Sequence, residues 1–215
     1  MPVPELRVIQ TDDFEFSGAD ISMKWNEAHW NYLTPQSKNG WSTQFKLMWS
    51  SSGVYCLFNC EDALLRCDQL GDQSDLWTQD VVEIFFQPDP TRSLYFEYEI
   101  SPLGDELVLV VPNQNGKFMG WLPFHYNGNR KVKRATHIRG GEKTPNSKVT
   151  GWCVEVFIPF ELLPGLLPAP VQPGTTWRAN FCRIDYDRGS PALSAWSKVD
   201  QTFHAVDRFG YITFE

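Results

Sequence analysis

Three glutamates and a tyrosine stand where two adjoining segments could bring them onto one surface. In Val81-Val82-Glu83-Ile84-Phe85-Phe86, extended alternation sends Val82, Ile84 and Phe86 to one side and Val81, Glu83 and Phe85 to the other. In Leu94-Tyr95-Phe96-Glu97-Tyr98-Glu99-Ile100, it separates Phe96, Tyr98 and Ile100 from Tyr95, Glu97 and Glu99. If the two segments pair, the apolar sets share a core face, and Glu83, Glu97, Glu99 and Tyr95 share the opposite, polar face. Such an acceptor-rich floor suits sugar hydroxyls, which donate hydrogen bonds. Carboxylates this close should raise at least one pKa unless a cation or ligand intervenes. The plainer expectation is solvated acids on the outer face of an antiparallel sheet. A glycoside hydrolase is the catalytic alternative, with Glu83, Glu97 and Glu99 supplying acid and base. Alternate residues on a strand lie about 6.5–7 Å apart, which meets the ~6.5–9.5 Å window of inverting enzymes. That spacing is common, so binding without catalysis is preferred.

The acidic segment Asp72-Gln73-Ser74-Asp75-Leu76-Trp77-Thr78-Gln79-Asp80 precedes the first of these strands. A Trp in such a loop can offer its ring to a pyranose face while flanking acids take the hydroxyls; the simpler role for Trp77 is to cap the core. Phe203, His204 and Trp196 are candidates for a second wall. For a metal, Glu61, Asp62, Asp75 and Asp80 supply hard oxygens that suit calcium better than zinc. EF-hand spacing is absent, and His29, His125, His137 and His204 are scattered. No Gly-rich phosphate loop or Gly-x-Ser-x-Gly nucleophile motif is present.

The elements that must hold these residues read as strands. Phe45–Trp49, then Ser50-Ser51-Ser52-Gly53, then Val54–Asn59 form a β-hairpin pattern. Further runs are 81–86, 94–100, 106–111, 151–158, 177–184 and 210–214, with Pro and Gly punctuating between them. Pro159-Phe160-Glu161-Leu162-Leu163 can open one helical turn, and Pro164, Pro168, Pro170 and Pro173 prevent a longer helix. Residues 140–147 and 187–191 read as exposed loops. Seven or more short strands at this spacing predict an all-β, two-sheet antiparallel sandwich, immunoglobulin-like or jelly-roll-like, with short helical turns. No internal repeat or linker breaks the chain, so one domain over 1–215 is expected.

Composition agrees with that class. The 215 residues are 42% hydrophobic and 21% charged, with aromatics at 14%, including nine Trp and fifteen Phe. A net charge of −7 and a pI near 5.1 make a nucleic-acid partner a poor expectation. Arg130, Lys131, Lys133 and Arg134 read as a solvated stretch. No apolar run approaches the ~20 residues of a membrane span, so no membrane partner is expected. Cys56, Cys60, Cys67, Cys153 and Cys182 form an odd set, and buried reduced thiols are expected of them. With no export signal visible, cytoplasmic residence follows; a signal already removed would make the protein secreted or periplasmic. Oligomeric state is left open.

The same segments carry a family resemblance. Val54-Tyr55-Cys-Leu-Phe-Asn-Cys-Glu61-Asp62, Trp77-Thr-Gln-Asp80-Val-Val-Glu83-Ile-Phe and Tyr95-Phe-Glu97-Tyr-Glu99-Ile-Ser-Pro-Leu-Gly104 come first. Gly151-Trp152-Cys-Val-Glu155-Val-Phe-Ile158-Pro159-Phe160, Gly174-Thr-Thr-Trp177-Arg178-Ala-Asn180-Phe-Cys-Arg183, Trp196, Phe203-His204 and Phe209-Gly210 follow. In this order, over roughly residues 45–214, the chain resembles carbohydrate-binding module family 9 and its wider group of bacterial sandwich domains. The resemblance implies a β-sandwich that holds a glycan end between aromatic rings, often with structural calcium, in carbohydrate catabolism. It implies Trp77 as the first ring, Glu83 as a sugar-bonding acid, and Phe203 at the second ring position, with His204 beside it. Glu99 replaces a basic residue that xylanase-attached members use. Asn180 and Arg178 are the candidate hydrogen-bond donors. A purely structural or protein-interaction module is the third reading, favoured if Trp77 and Phe203 are fully buried.

Overall fold

Period-two alternation fixes the layers. In the computed structural model, which describes residues 3–36, 40–68, 70–163, 165–199 and 202–215, the regular structure is nearly all strand. The strands are β1 (Glu5–Gln10), β2 (Asn31–Tyr32), β3 (Thr34–Pro35), β4 (Thr43–Trp49), β5 (Gly53–Glu61), β6 (Val81–Gln87), β7 (Leu94–Ile100) and β8 (Glu106–Gln114). They continue as β9 (Lys117–Phe118), β10 (Leu122–Pro123), β11 (Lys133–Arg139), β12 (Gly151–Pro159), β13 (Thr176–Asp185), β14 (Ala192–Ala195) and β15 (Gly210–Phe214). Every helical piece is a short 3₁₀ turn, including Phe160–Leu162 with Pro159 at its N-cap. Pro164 lies outside the described residues. No helix among those described is long and apolar enough to cross a membrane.

The first sheet runs β10-β8-β7-β6-β13-β15-β1 and the second β1-β4-β5-β12-β11. Neighbours are antiparallel except at β1. Its first half runs parallel to β15 (Glu5 opposite Tyr211), and its end runs parallel to β4 (Gln10 opposite Trp49). The expected all-antiparallel sandwich is therefore a mixed one, because one strand is shared by both sheets.

Between the sheets lies the main core. Val82, Ile84 and Phe86 of β6 and Phe96, Tyr98 and Ile100 of β7 meet Phe45, Phe58, Trp152 and Phe181, all essentially inaccessible to water. Arg183 of β13 also points inward and crosses the layers, donating to Thr43 Oγ1, the Glu61 carbonyl, Asp62 and Asp185 at 2.6–3.0 Å. Two further clusters cover the outer faces. Leu76, Phe85, Tyr95, Leu109, Phe203 and Phe209 cover the first sheet, and Trp25, Met48, Tyr55 and Phe157 the second. Gly210 permits one close approach: a Cβ there would lie 2.5 Å from the Trp196 ring and 2.7 Å from the Pro4 carbonyl. All five cysteines are unpaired and buried.

Candidate functional site

β6 and β7 pair so that Glu83 sits directly opposite Glu99, with Glu97 one alternation away opposite Phe85. The three acids and Tyr95 do share the outer face of the first sheet. They are not solvated. Glu83, Glu97 and Glu99 are 3%, 2% and 1% exposed, because the outer cluster and the segments around Trp77, Phe118 and Phe203 roof them over. Together they floor a cleft of about 360 Å³ whose walls are Trp77, Phe118, Trp121, Phe203 and His204, with Leu109 and Ile184 between.

Each wall has a local cause. Trp77 rides on the 3₁₀ turn Leu76–Thr78, where Leu76 is buried. Asp80 ties the turn down by accepting from the Arg66 and Tyr186 backbone amides, and the Tyr186 hydroxyl donates to the Trp77 carbonyl at 2.9 Å. Trp77 stays half-buried at the cleft, and its ring lies 5.6 Å from that of Trp121 at 59°. A sugar sandwiched between two rings needs about 7–8 Å, two van der Waals contacts of ~3.5–4.0 Å. The two indoles therefore form one continuous wall. Opposite them, His204 stacks on Phe118 at 4.2 Å, and its Nδ1 lies 2.7 Å from the Tyr95 hydroxyl.

The electrostatics follow from burial. Desolvation, reinforced by the neighbouring acids, pushes the carboxyls of Glu83, Glu97 and Glu99 well above the ordinary range. After desolvation, the charge of Glu83 bears most on Glu97, and that of Glu97 on Glu99. One oxygen each of Glu97 and Glu99, Oε2, has no hydrogen-bond partner among the described residues. Burial lowers His204 from 6.5 to about 4, so its ring is neutral at neutral pH. This is poor equipment for glycoside cleavage. Burial raises all three acids alike, and nothing sets one apart as acid and another as base.

The cleft gathers Trp77, Glu83, Glu99, Phe203 and His204, with Glu97 of the catalytic alternative, but not every expected residue. Asn180 is wholly buried elsewhere; its amide donates to the Ser197 carbonyl and accepts from the Phe181 and Ser197 amides, fastening that segment to β13. Arg178 donates to the Asp207 carbonyl and lies over Tyr211. Trp196 packs edge-on against Phe45 and Phe181 at the core. Phe203 is only 7% exposed and supports the wall more than it presents a face. The most exposed ring of the cleft is Trp121, at 40%, with Phe118 at 37%. It had a signal in the sequence: Phe118-Met119-Gly120-Trp121-Leu122 is an apolar run in a turn-rich stretch, where core packing has no use for it.

The expected calcium set is not gathered. Asp75 belongs to the Trp77 turn, where it adds to the negative field on Glu99, Asp80 is spent on backbone amides, and Glu61 is exposed. Asp62 instead joins Asp185 and Asp187, with one oxygen from each within 4.8 Å of the others. Arg183 bonds Asp62 and Asp185, so one guanidinium faces three carboxylates, and Asp187 Oδ1 is buried without a partner. Desolvation and the other two aspartates raise Asp62 to about 6 against the pull of Arg183. Surplus negative charge and an unused hard oxygen fit a calcium ion.

Solved structures share the architecture. A Bacteroides uniformis protein described as a candidate carbohydrate-binding protein superposes with a TM-score of 0.79 at 17% identity, covering 100% of both chains. A carbohydrate binding module family 9 from Caldicellulosiruptor kristjanssonii, in complex with cellotriose, gives a TM-score of 0.67 at 18% identity over 99% of this chain and 94% of that one. The same module in complex with glucose gives 0.67 at 17%, over 97% and 95%. A curated mouse relative, UPF0462 protein C4orf33 homolog, is 32% identical over 91 residues, 42% of this chain and 38% of its own length. This chain thus spans well under half of that relative. Residues 18–214 match the family described as carbohydrate family 9 binding domain-like, and the chain belongs to that family.

Proposed function

We propose that this chain binds carbohydrate without cleaving it, and that the sugar lies in the cleft over β6 and β7. Its apolar face rests along the indole wall of Trp77 and Trp121, and its hydroxyls reach Glu83, Glu97 and Glu99. One observation carries the assignment of the site: two buried carboxyl oxygens with no hydrogen-bond partner among the described residues belong to glutamates that line a cavity walled by aromatic rings. An unpartnered buried polar atom is costly, and a ligand that supplies the missing hydrogen bonds recovers that cost on binding. The relatives from Caldicellulosiruptor kristjanssonii hold cellotriose and glucose, which makes gluco-configured sugars the first ligands to try.

Calcium, if bound, would be held by Asp62, Asp185 and Asp187. Its role there is structural: it neutralises surplus charge where β13 meets the end of β5. Titration calorimetry against mono- and oligosaccharides, with and without EDTA, tests both parts. Saturable binding that Trp77→Ala weakens by about tenfold is expected. Absence of any saccharide binding at millimolar concentration overturns the function, and unchanged affinity in Trp77→Ala overturns the site.

A further inference from the structure

We propose that the group this cleft selects is a cation: its ligand is an amino sugar, with the ammonium seated on Glu97 and Glu99 beneath the indole wall of Trp77 and Trp121. The inference rests on the carbohydrate-binding reading and narrows its ligand class.

A site built for neutral hydroxyls mixes donors with acceptors, because each hydroxyl is both. This one does not. Among the described residues no Lys or Arg lines the cleft, and beside Thr202 and His204 its polar side chains are three glutamates, each at least nine-tenths buried. Glu97 Oε2 and Glu99 Oε2 have no hydrogen-bond partner among the described residues, the His204 ring lying 3.7 Å from the former, and both glutamates line the cavity. The other titratable groups around these acids among the described residues are Asp75, Tyr95, Cys182, Tyr186 and His204, and none supplies positive charge at neutral pH. The walls add to the bias, because indole and phenyl faces carry negative potential that attracts ammonium groups. An ammonium has three donors and no acceptor, the complement of such a floor.

Seating the cation converts one neutral carboxyl to carboxylate. The proton passes to the buffer, and no bond in the sugar changes. Burial and the neighbouring acids push these carboxyls up in the free protein, so proton release is a signature that a neutral sugar would not give. A neutral sugar would accept the existing O–H groups and leave the protons in place.

The experiment compares cellotriose, its chitosan counterpart with free amines, and the N-acetylated counterpart. Calorimetry on the full chain at neutral pH uses two buffers of different ionisation enthalpy. The amine form should bind at least about tenfold tighter than cellotriose, as expected of a charge-assisted contact. It should release about one proton per site, read as a buffer-dependent enthalpy, and acetylation should remove the advantage. E97Q and E99Q should cut the preference to under about threefold; should either fail to fold, the wild-type comparison alone decides. Cellotriose binding as tightly as the amine, with no proton release, overturns this proposal and leaves the carbohydrate reading intact. Failure of all three ligands refutes the carbohydrate reading instead.

Discussion

Trp121→Ala is the cleanest perturbation of the cleft. The ring is 40% exposed and its partner is the side chain of Trp77, so its loss opens no cavity in the core. A Trp can bury up to ~250 Å², and the exposed share is therefore about 100 Å². Complete coverage by a sugar at ~25 cal/mol per Å² would contribute about 2.5 kcal/mol, equivalent to a Kd weakened about 70-fold. A pyranose reaching half of that surface gives about 1.3 kcal/mol, close to tenfold. Calorimetry with the tightest-binding saccharide measures the change, and a urea transition confirms that the variant keeps wild-type stability. The expected result lies between those bounds. A Kd within about twofold of wild type in a folded variant would refute the indole wall as the sugar platform, since it falls well below half coverage.

Other consequences are equally open to measurement. Arg183→Met leaves Asp62 and Asp185 buried without their cation, and urea denaturation should show a loss of about 3–5 kcal/mol at neutral pH; a loss under about 1 kcal/mol would mean the pair is dispensable. Stability should also fall as pH rises from about 6.5 to 8, measured in EDTA. Desolvation, with Asp62 next in effect, lifts Asp80 from 3.8 to about 7, so the folded state keeps a proton that the unfolded chain has released. Burial raises the cleft glutamates too, and they act in the same direction. His204, neutral in both states above its ordinary 6.5, has no say in that window, and a midpoint that climbs with pH would contradict the assignment. Calcium should raise the melting temperature, EDTA should reverse the rise, and Asp187→Asn should blunt it; a calcium-independent melt of the wild type would rule the ion out.

Much of the scaffold was legible because alternation is local. Val82, Ile84 and Phe86 against Glu83 and Phe85 declare the two faces of β6 without reference to any other segment, and Phe96, Tyr98 and Ile100 do so for β7. A connection of a few residues between them made the pairing, and hence the meeting of Glu83 with Glu99, a safe inference. Burial of those acids was not legible. What covers them comes from residues 117–121 and 202–209, stretches with little periodicity whose docking depends on tertiary contacts. Asn180 shows the same limit. Its face was readable, but its amide is consumed by Ser197, and a hydrogen-bond partner seventeen residues away leaves no trace in spacing. Asp185 and Asp187 were within reach, as alternate acids at the end of a strand. They drew no attention because the residue that gives them meaning, Arg183, points into the core.

The shared strand β1 bears on how the protein is made. Its pairing with both β15 and β4 means that residues 5–8 cannot find their β15 neighbour until residues 211–214 have been made. Contacts spanning nearly the whole sequence slow folding, since a long loop must close before they form. Until then the outer edges of β4 and β15 remain unsealed, ready to recruit strands from other chains. Shortening the chain from its N-terminus should therefore promote aggregation sooner than it impairs the cleft, which lies several strands away.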